Sequence, residues 1–423
     1  MNLEKQESKS KMQIPNPEKP IANSDLRIAS LKDAIELISK QAMSFGTEMV
    51  DLENCYGRIL AEAIYADRNY PPFNRSAVDG FAIKSNDLKT YKEFEIIEEV
   101  HAGSVSAIPL FIGQAIKIMT GAPVPESADA VIKVEESTMN KNKVSFSINE
   151  IKSGANIAKE GEDKRKHELA IKANTICSPS VVGVLASLGI HQVGVHKNPI
   201  VSIISTGNEI RSPKDSVLSH QIRDSNSYTL AAFFDQYHIK ISNHHLVGDN
   251  KKEIRDAITK VIHSDILILS GGVSMGDADF VPEILSELGV EKIFHKVAIK
   301  PGKPIWFGRT EEGKIVFALP GNPFSCQVAF KIFIEPYLRA CYQLPALKKL
   351  ILSMGAPKKK KTSFDELFPF KIGDTSSEII PVKFNGSGDF CSVINSDGIA
   401  IHSSSKVDLL CGDLVEVFFW DKF

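Results

Sequence analysis

The chain has no run of about 18 consecutive apolar residues, which excludes a spanning helix. It has little cysteine: Cys55, Cys177, Cys326, Cys341, Cys391 and Cys411 are scattered without a C-x-x-C pair. That speaks against a zinc knuckle or disulfide framework and for buried thiols in a reducing compartment. Charge of one sign is also lacking. A net charge of −2 argues against a general nucleic-acid or membrane-surface binder. The 11 histidines form no H-x-x-x-H pair, no Ser-His-acid order competes, and His244-His245 reads as part of a connection rather than a site. Internal repeats are absent. Residues 1–22 are polar without the apolar centre of a signal peptide and read as a disordered lead, so a cytoplasmic protein is expected.

What remains is ordinary globular material: 423 residues, 43% hydrophobic and 24% charged. The length suggests about three domains of ~150 residues. Ser30 opens an amphipathic helix, SLKDAIELISKQA, with Asp33 as capping-box partner and Leu31, Ala34, Ile35 and Ile38 on one face. From about Pro71 to Glu162 the texture is short β-like runs. Within or beside it lie NRSAVDGFAIK, KIMTGAPVPESADAVIKVEE and KEGEDK, which carry Asp79, Thr120 and Asp163. Asp79-Gly80 alone is a hairpin signal. From Ser178 the pattern becomes a sustained alternation of strands and helices, which predicts a parallel, doubly wound α/β sheet. One strand is expected from Phe294 to Ile299, and one helix over FSCQVAFKIFIEPYL. Past Leu344 short strands return around NGSG, after a lysine run from Lys358 to Lys361 that reads as a solvated loop.

The chemistry converges on loops leaving carboxyl ends of strands, where open parallel sheets collect ligands. The central one is the buried run from Ile266 to Leu269 followed by Ser270, Gly271, Gly272, Ser274 and Asp279. Paired glycines let backbone N–H groups approach an anion. STGNE brings Glu209. LPGNPFS brings Gly321, Asn322, Pro323 and Ser325, with Asn322 as a helix cap and Pro323 as first helical residue. HKVAIKPGKP supplies Lys296, Lys300 and Lys303, with Pro301-Gly302 fixing the turn as oxyanion or phosphate contacts. Glu209, Asp224, Asp249 and Asp279 provide hard oxygen ligands near the same edge, which predicts Mg²⁺-assisted chemistry at a phosphate.

The runs NRSAVDGFA, IMTGAPVPE, GED, STGNE, SGGVSMGDAD, KPGKP and LPGNP, in order, resemble the molybdopterin molybdenumtransferases, the MoeA proteins and the E domain of gephyrin. The resemblance implies a multidomain α/β protein. An α/β molybdopterin-binding-like domain (23–45 and 185–343) is expected with a linking domain (46–66 and 168–184), a β-rich domain (67–167) and a C-terminal β-barrel-like domain (344–423). It also implies a homodimer that binds adenylated molybdopterin, inserts molybdate and releases AMP with Mg²⁺. By the same resemblance Asp279, Ser274, Glu209 and Asp249 act at the phosphoanhydride, the acids among them holding the metal. Lys296 and Lys300 hold oxyanions, Pro301, Ser325 and Ser387 lie near molybdate, and Asp79, Thr120 and Asp163 reach the partner's crevice.

Two departures stand out. Ala158, Lys159 and Glu160 precede the G-E-D run where arginines are common in the family, and no Arg follows Arg339. A lysine between Lys358 and Lys361 is the candidate substitute for an arginine near the oxyanion, without its bidentate fork. The alternative readings are an adenylyltransferase or nucleotide pyrophosphatase of the same superfamily, which would not need the DGFA, MTGAP and GED runs, and a non-catalytic dimeric scaffold.

Overall fold

The computed structural model describes residues 28–273, 280–347 and 349–420. The expected site residues Ser274 and Asp279 lie outside the described residues.

Strand Ile266–Ser270 is buried at every position, because it sits inside a sheet covered on both faces. It runs parallel to Val201–Thr206 on one side and to Ile315–Leu319 on the other, so that Ile203, Ile268 and Phe317 stand in one row. Side chains alternate between faces along a strand. Ile266 and Ile268 therefore pack with Leu230, Phe234 and Phe330, whereas Leu267 and Leu269 pack with Ile254, Ile258 and Ile284. Helix Asn226–Asp235 and the helical run from Pro323 to Cys341 cover the first face. Helices Lys251–Val261 and Val281–Glu287 cover the second, completing three layers. Each large apolar side chain buried this way contributes about 1.5–3 kcal/mol.

The sheet has six strands, and it is parallel over only four of them, the fourth being edge strand Ile241–Val247. Trp306–Arg309 joins antiparallel to Ile315–Leu319, since residues 310–314 are too few for a crossover connection. Glu291–His295 closes that edge, again antiparallel. The strand expected from Phe294 to Ile299 is broken: Lys296 adopts φ +75°, and Ile299–Lys300 pairs instead with Asp365–Ile372 of the last domain. The expected helix over 324–338 exists, with a π-helical turn at Phe330–Ile334.

Helix Leu31–Ser39 is capped by Ser30, whose hydroxyl accepts from Asp33 N–H at 3.1 Å. Its buried residues Leu31, Ala34 and Ile38 join the first core with Tyr337 and Leu338, and Ala29 bridges to Val297. Strand Thr47–Asp51 then pairs with Gln192–His196, and Ile64–Tyr65 with Leu169–Ile171, around a separate core containing Cys55, Leu60, Cys177 and Leu185. Helix Pro179–Ser187 runs across the expected boundary at 184/185 and packs in this linking unit.

Between those pairs lies a six-stranded sheet in the order Ala130–Lys133, Gly80–Ile83, Gln114–Ile118, Glu93–Val100, Lys143–Phe146 and Ser137–Asn140. Asp79-Gly80 is not a hairpin turn. Gly80 begins an inner strand where a Cβ would stand 1.9 Å from Ile132 O, so the glycine serves close backbone approach. The C-terminal strands Leu350–Met354, Asp365–Ile372, Glu378–Pro381, Gly398–His402 and Leu414–Phe419 close on themselves as a barrel, through the pairing of Asp365–Ile372 with Gly398–His402. Among the described residues no helix is long and apolar enough to cross a membrane.

Candidate functional site

At the carboxyl ends of the three central strands, the loops at Thr206–Glu209, Gly271–Val273 and Pro320–Asn322 line one cleft of about 1010 Å³. Gly271 and Gly272 hold φ of +101° and +63°, a conformation that strains any other residue. A Cβ on Gly271 would stand 2.5 Å from Thr206 O and 2.7 Å from Thr206 Oγ1. The turn can therefore press against the neighbouring strand end only as glycine. Thr206 Oγ1 is buried and has no hydrogen-bond partner among the described residues, at the lip of a cavity suited to an anion.

Asn226 clamps these loops together. Its Nδ2 donates to Ser270 Oγ at 2.9 Å and to Gly321 O at 2.7 Å. Cys326 adds a third tie by donating to Pro320 O at 3.0 Å, and burial pushes its thiol up to about 12, which keeps it protonated and structural.

Glu209 and Asp249 both line this cleft. Asp249 is held by a reciprocal pair: its Oδ2 accepts from Asn208 N–H at 3.1 Å, while its own N–H donates to Asn208 Oδ1 at 3.1 Å. Asp224 lines the same cleft, is 5% exposed and accepts from Ser205 Oγ at 2.9 Å, Ser227 Oγ at 2.7 Å and His244 Nε2 at 3.1 Å. Burial raises its carboxyl, but the hydrogen bonds from His244, Ser227 and Ser205 outweigh burial and hold it below the usual range. His244 thus lies in an edge strand and bonds a cleft residue, rather than lying in a connection. Glu209 and Asp249 are hard carboxylate donors on one cavity wall, which fits a Mg²⁺ that keeps several waters. Among the described residues no group of three acids, histidines or cysteines forms a closed cage.

A second chamber of about 740 Å³ adjoins the first and shares Pro304, Pro320 and Asn322 with it. Lys300, Pro301, Gly302, Lys303, Ser325 and Ser387 all line it. Lys303 Nζ lies 5.1 Å from the Phe364 ring centre, and Ser387 accepts from Asn322 Nδ2 at 2.8 Å. Gly321 and Pro323 stay with the larger cleft.

Other expected residues are not among the described residues that line the two chambers, Lys296 being one. Asp79 and Thr120 sit together in the β-rich sheet, with Asp79 Oδ1 accepting from Thr120 Oγ1 at 2.6 Å and from its N–H at 2.7 Å. Those bonds lower the Asp79 carboxyl, the hydroxyl first. Asp163 is exposed in a neighbouring turn, and none of the three lines this chain's own cleft. Conversely Thr206, Asn226, Lys383 and Phe390 belong to the two chambers or their frame without having been singled out. Only STGNE pointed toward Thr206; nothing local distinguishes Lys383 or Phe390.

A discontinuous glycine-lined crevice of this kind, following a β-rich unit, defines a class. Residues 29–189 match the MoeA N-terminal region (domain I and II), and residues 202–340 match a probable molybdopterin binding domain. A molybdopterin molybdenumtransferase of Staphylococcus epidermidis is 32% identical over 403 residues, covering 92% of this chain and 94% of that protein. One from Bacillus subtilis is 37% identical over 307 residues, 69% of this chain and 70% of that protein. The crystal structure of a molybdopterin biosynthesis MoeA protein from Pyrococcus horikosii superposes with a TM-score of 0.77 at 30% identity, over 94% of this chain and 100% of that one. The chain belongs to the molybdopterin molybdenumtransferase family.

Proposed function

We propose that this protein is an enzyme of molybdenum cofactor biosynthesis that inserts molybdate into adenylated molybdopterin and releases AMP with Mg²⁺. The observation that carries the reading is the pair of joined chambers. One offers a glycine turn, a buried free hydroxyl and carboxylates; the other offers lysines, and Asn322 stands at their junction. A substrate with a phosphoanhydride at one end and sulfurs awaiting an oxyanion at the other needs both.

In this reading the Gly271-Gly272 turn and the Thr206 hydroxyl receive phosphate oxygens, which replaces water by fixed dipoles. Glu209 and Asp249, with Asp279, would hold Mg²⁺, which when bound neutralises charge on the phosphoanhydride. Lys300 and Lys303 draw in the molybdate dianion, while Ser325, Asn322 and Ser387 orient it toward the junction. Asp79, Thr120 and Asp163, which do not line this chain's cleft, are assigned to the crevice of a second copy in a cytoplasmic homodimer. The superfamily adenylyltransferase or pyrophosphatase is disfavoured by the match over residues 29–189, a region those activities do not need.

The test is incubation with adenylated molybdopterin, Mg²⁺ and molybdate. Molybdate-dependent AMP release is expected; its absence, with substrate bound, removes the proposal.

A further inference from the structure

The most deeply buried ion pair among the described residues lies outside both chambers. Lys331 Nζ stands 2.8 Å from Glu335 Oε2, with the two side chains 5% and 2% exposed, in the helical run that covers the first face of the sheet. Tyr237 donates its hydroxyl to the other carboxylate oxygen. Burial first, then the Glu335 charge, pushes that phenol up, so it stays a donor. Lys331 also reaches the carbonyl of Trp420 at 3.5 Å. None of these four residues lines a chamber. A buried pair of charges adds little stability, because the loss of hydration offsets the attraction, and apolar side chains of similar volume often hold a core as well. Stability of the core therefore does not account for the pair.

Trp420 is where the barrel enters the α/β core. It follows strand Leu414–Phe419, is 9% exposed, and its ring meets those of Phe233 and Phe324 at 6.3 and 6.4 Å between centres. Its own domain grips it twice: Nε1 donates to Ser396 Oγ at 2.8 Å, and the N–H donates to Asp397 O at 3.0 Å. Phe233 in turn stacks at 4.7 Å on Phe330, which belongs to the same π-helical turn as Lys331. Phe324 carries the contact onward. Its ring abuts Phe384 at 5.4 Å, and its N–H donates to Ser387 O at 3.1 Å. Phe384 and Ser387 line the smaller chamber, so a continuous path of contacts joins the buried charges to the barrel wall of that chamber.

We propose that Lys331, Glu335 and Trp420 are positioning residues for the reaction. The buried lysine anchors the Trp420 carbonyl, the indole seats the barrel on the helical layer, and Phe324 passes that seating to the wall at Phe384 and Ser387. The inference rests on the reading of the smaller chamber as part of the substrate site. Apolar contact is non-directional and would hold the two domains together in more than one register, whereas a hydrogen bond to one carbonyl is directional and selects a single seating.

The experiment compares two variants with wild type by thermal melting, by the kinetics of AMP release, and by fluorine NMR of the full chain labelled with 5-fluorotryptophan. The sequence has two tryptophans, and Trp306 lies in the core on the other face of the sheet, where it serves as the internal reference. Lys331→Met leaves the Glu335 carboxylate buried and unpaired, and should lower the Tm and raise the KM for molybdate. The triple variant Tyr237→Phe, Lys331→Met, Glu335→Leu replaces the whole network by apolar side chains and should recover the Tm. Its KM for molybdate is expected to stay about tenfold above wild type, as misplacement of a site wall does. Its Trp420 resonance should broaden or split while that of Trp306 keeps its position. A wild-type KM or an unchanged Trp420 resonance in the folded triple variant reduces the network to a structural role and overturns the proposal. Should that variant not fold, Trp420→Phe, which keeps the carbonyl and loses the bond to Ser396, takes its place, and a wild-type KM in it overturns the proposal equally. A wild-type chain that releases no AMP refutes the insertion reading alone, and the fluorine spectra still decide whether the network fixes the barrel.

Discussion

Asn322 Nδ2 donates to Ser387 Oγ at 2.8 Å, joining the start of an α/β-domain helix to a loop of the C-terminal barrel. A second bond runs alongside, from Phe324 N–H to Ser387 O at 3.1 Å. The loop is stiffened by Asp389, whose carboxylate accepts from the N–H groups of Asn385, Ser392 and Cys391. Where the two chambers meet, the wall is thus built from both domains.

Ser387→Ala removes the side-chain half of this joint and leaves the backbone half. A stability loss of about 1 kcal/mol or less is expected in denaturant unfolding. The larger effect should be a raised KM for molybdate in the AMP-release assay.

Thr206→Val replaces a buried hydroxyl that has no partner by a methyl group of similar size. Removing an unsatisfied polar atom should raise stability by up to ~1 kcal/mol, while binding of the adenylated substrate weakens about tenfold. Thermal melts and titration calorimetry measure the two effects separately. A variant that is both less stable and fully competent to bind would contradict the anion-facing role.

Gly271→Ala meets a backbone oxygen 2.5 Å from its Cβ at φ +101°, so the turn has to open. A cost of about 2 kcal/mol or more is expected, together with loss of substrate binding. Gly289→Ala has a positive φ but nothing within 4 Å, and should cost about 1 kcal/mol without touching activity.

Asp224 has a carboxyl held below its unfolded range, so it stabilises the fold above the unfolded value of ~3.9 and stops doing so as pH falls through the lowered one. The advantage of wild type over Asp224→Asn should be about 2 kcal/mol at neutral pH and shrink below about pH 4. Melting temperatures of both proteins across that range decide it.

Chelation of Mg²⁺ should stop AMP release and leave circular dichroism unchanged, because Glu209 and Asp249 stand on a cleft wall and not in a core. Asp249→Asn should raise the Mg²⁺ concentration needed for half-maximal rate about tenfold. Full turnover in excess chelator would exclude the metal role.

Much of the α/β core could be read from Ile266 to Leu269, since only a strand covered on both faces tolerates an unbroken apolar run. The glycine turns, Asn322 and the Lys300–Lys303 turn were legible because each needs residue types that few other structures demand. Less local features were not. The antiparallel edge at Trp306–Arg309 depends on a short return loop, and Lys296 ends its strand through a backbone angle that lysine rarely adopts. Lys383 reaches the smaller chamber only because the barrel docks there, and Thr206 stands out because of how closely Gly271 approaches it.

The short strand Ile299–Lys300 leaves the α/β sequence to extend the barrel's Asp365–Ile372 strand. A cut at residue 344 would therefore leave the last domain with a bare edge and the preceding turn with nothing to lean on. The two parts are better regarded as one inheritable unit than as modules to be exchanged between relatives, and a chimera should carry residues 296–304 along with its barrel.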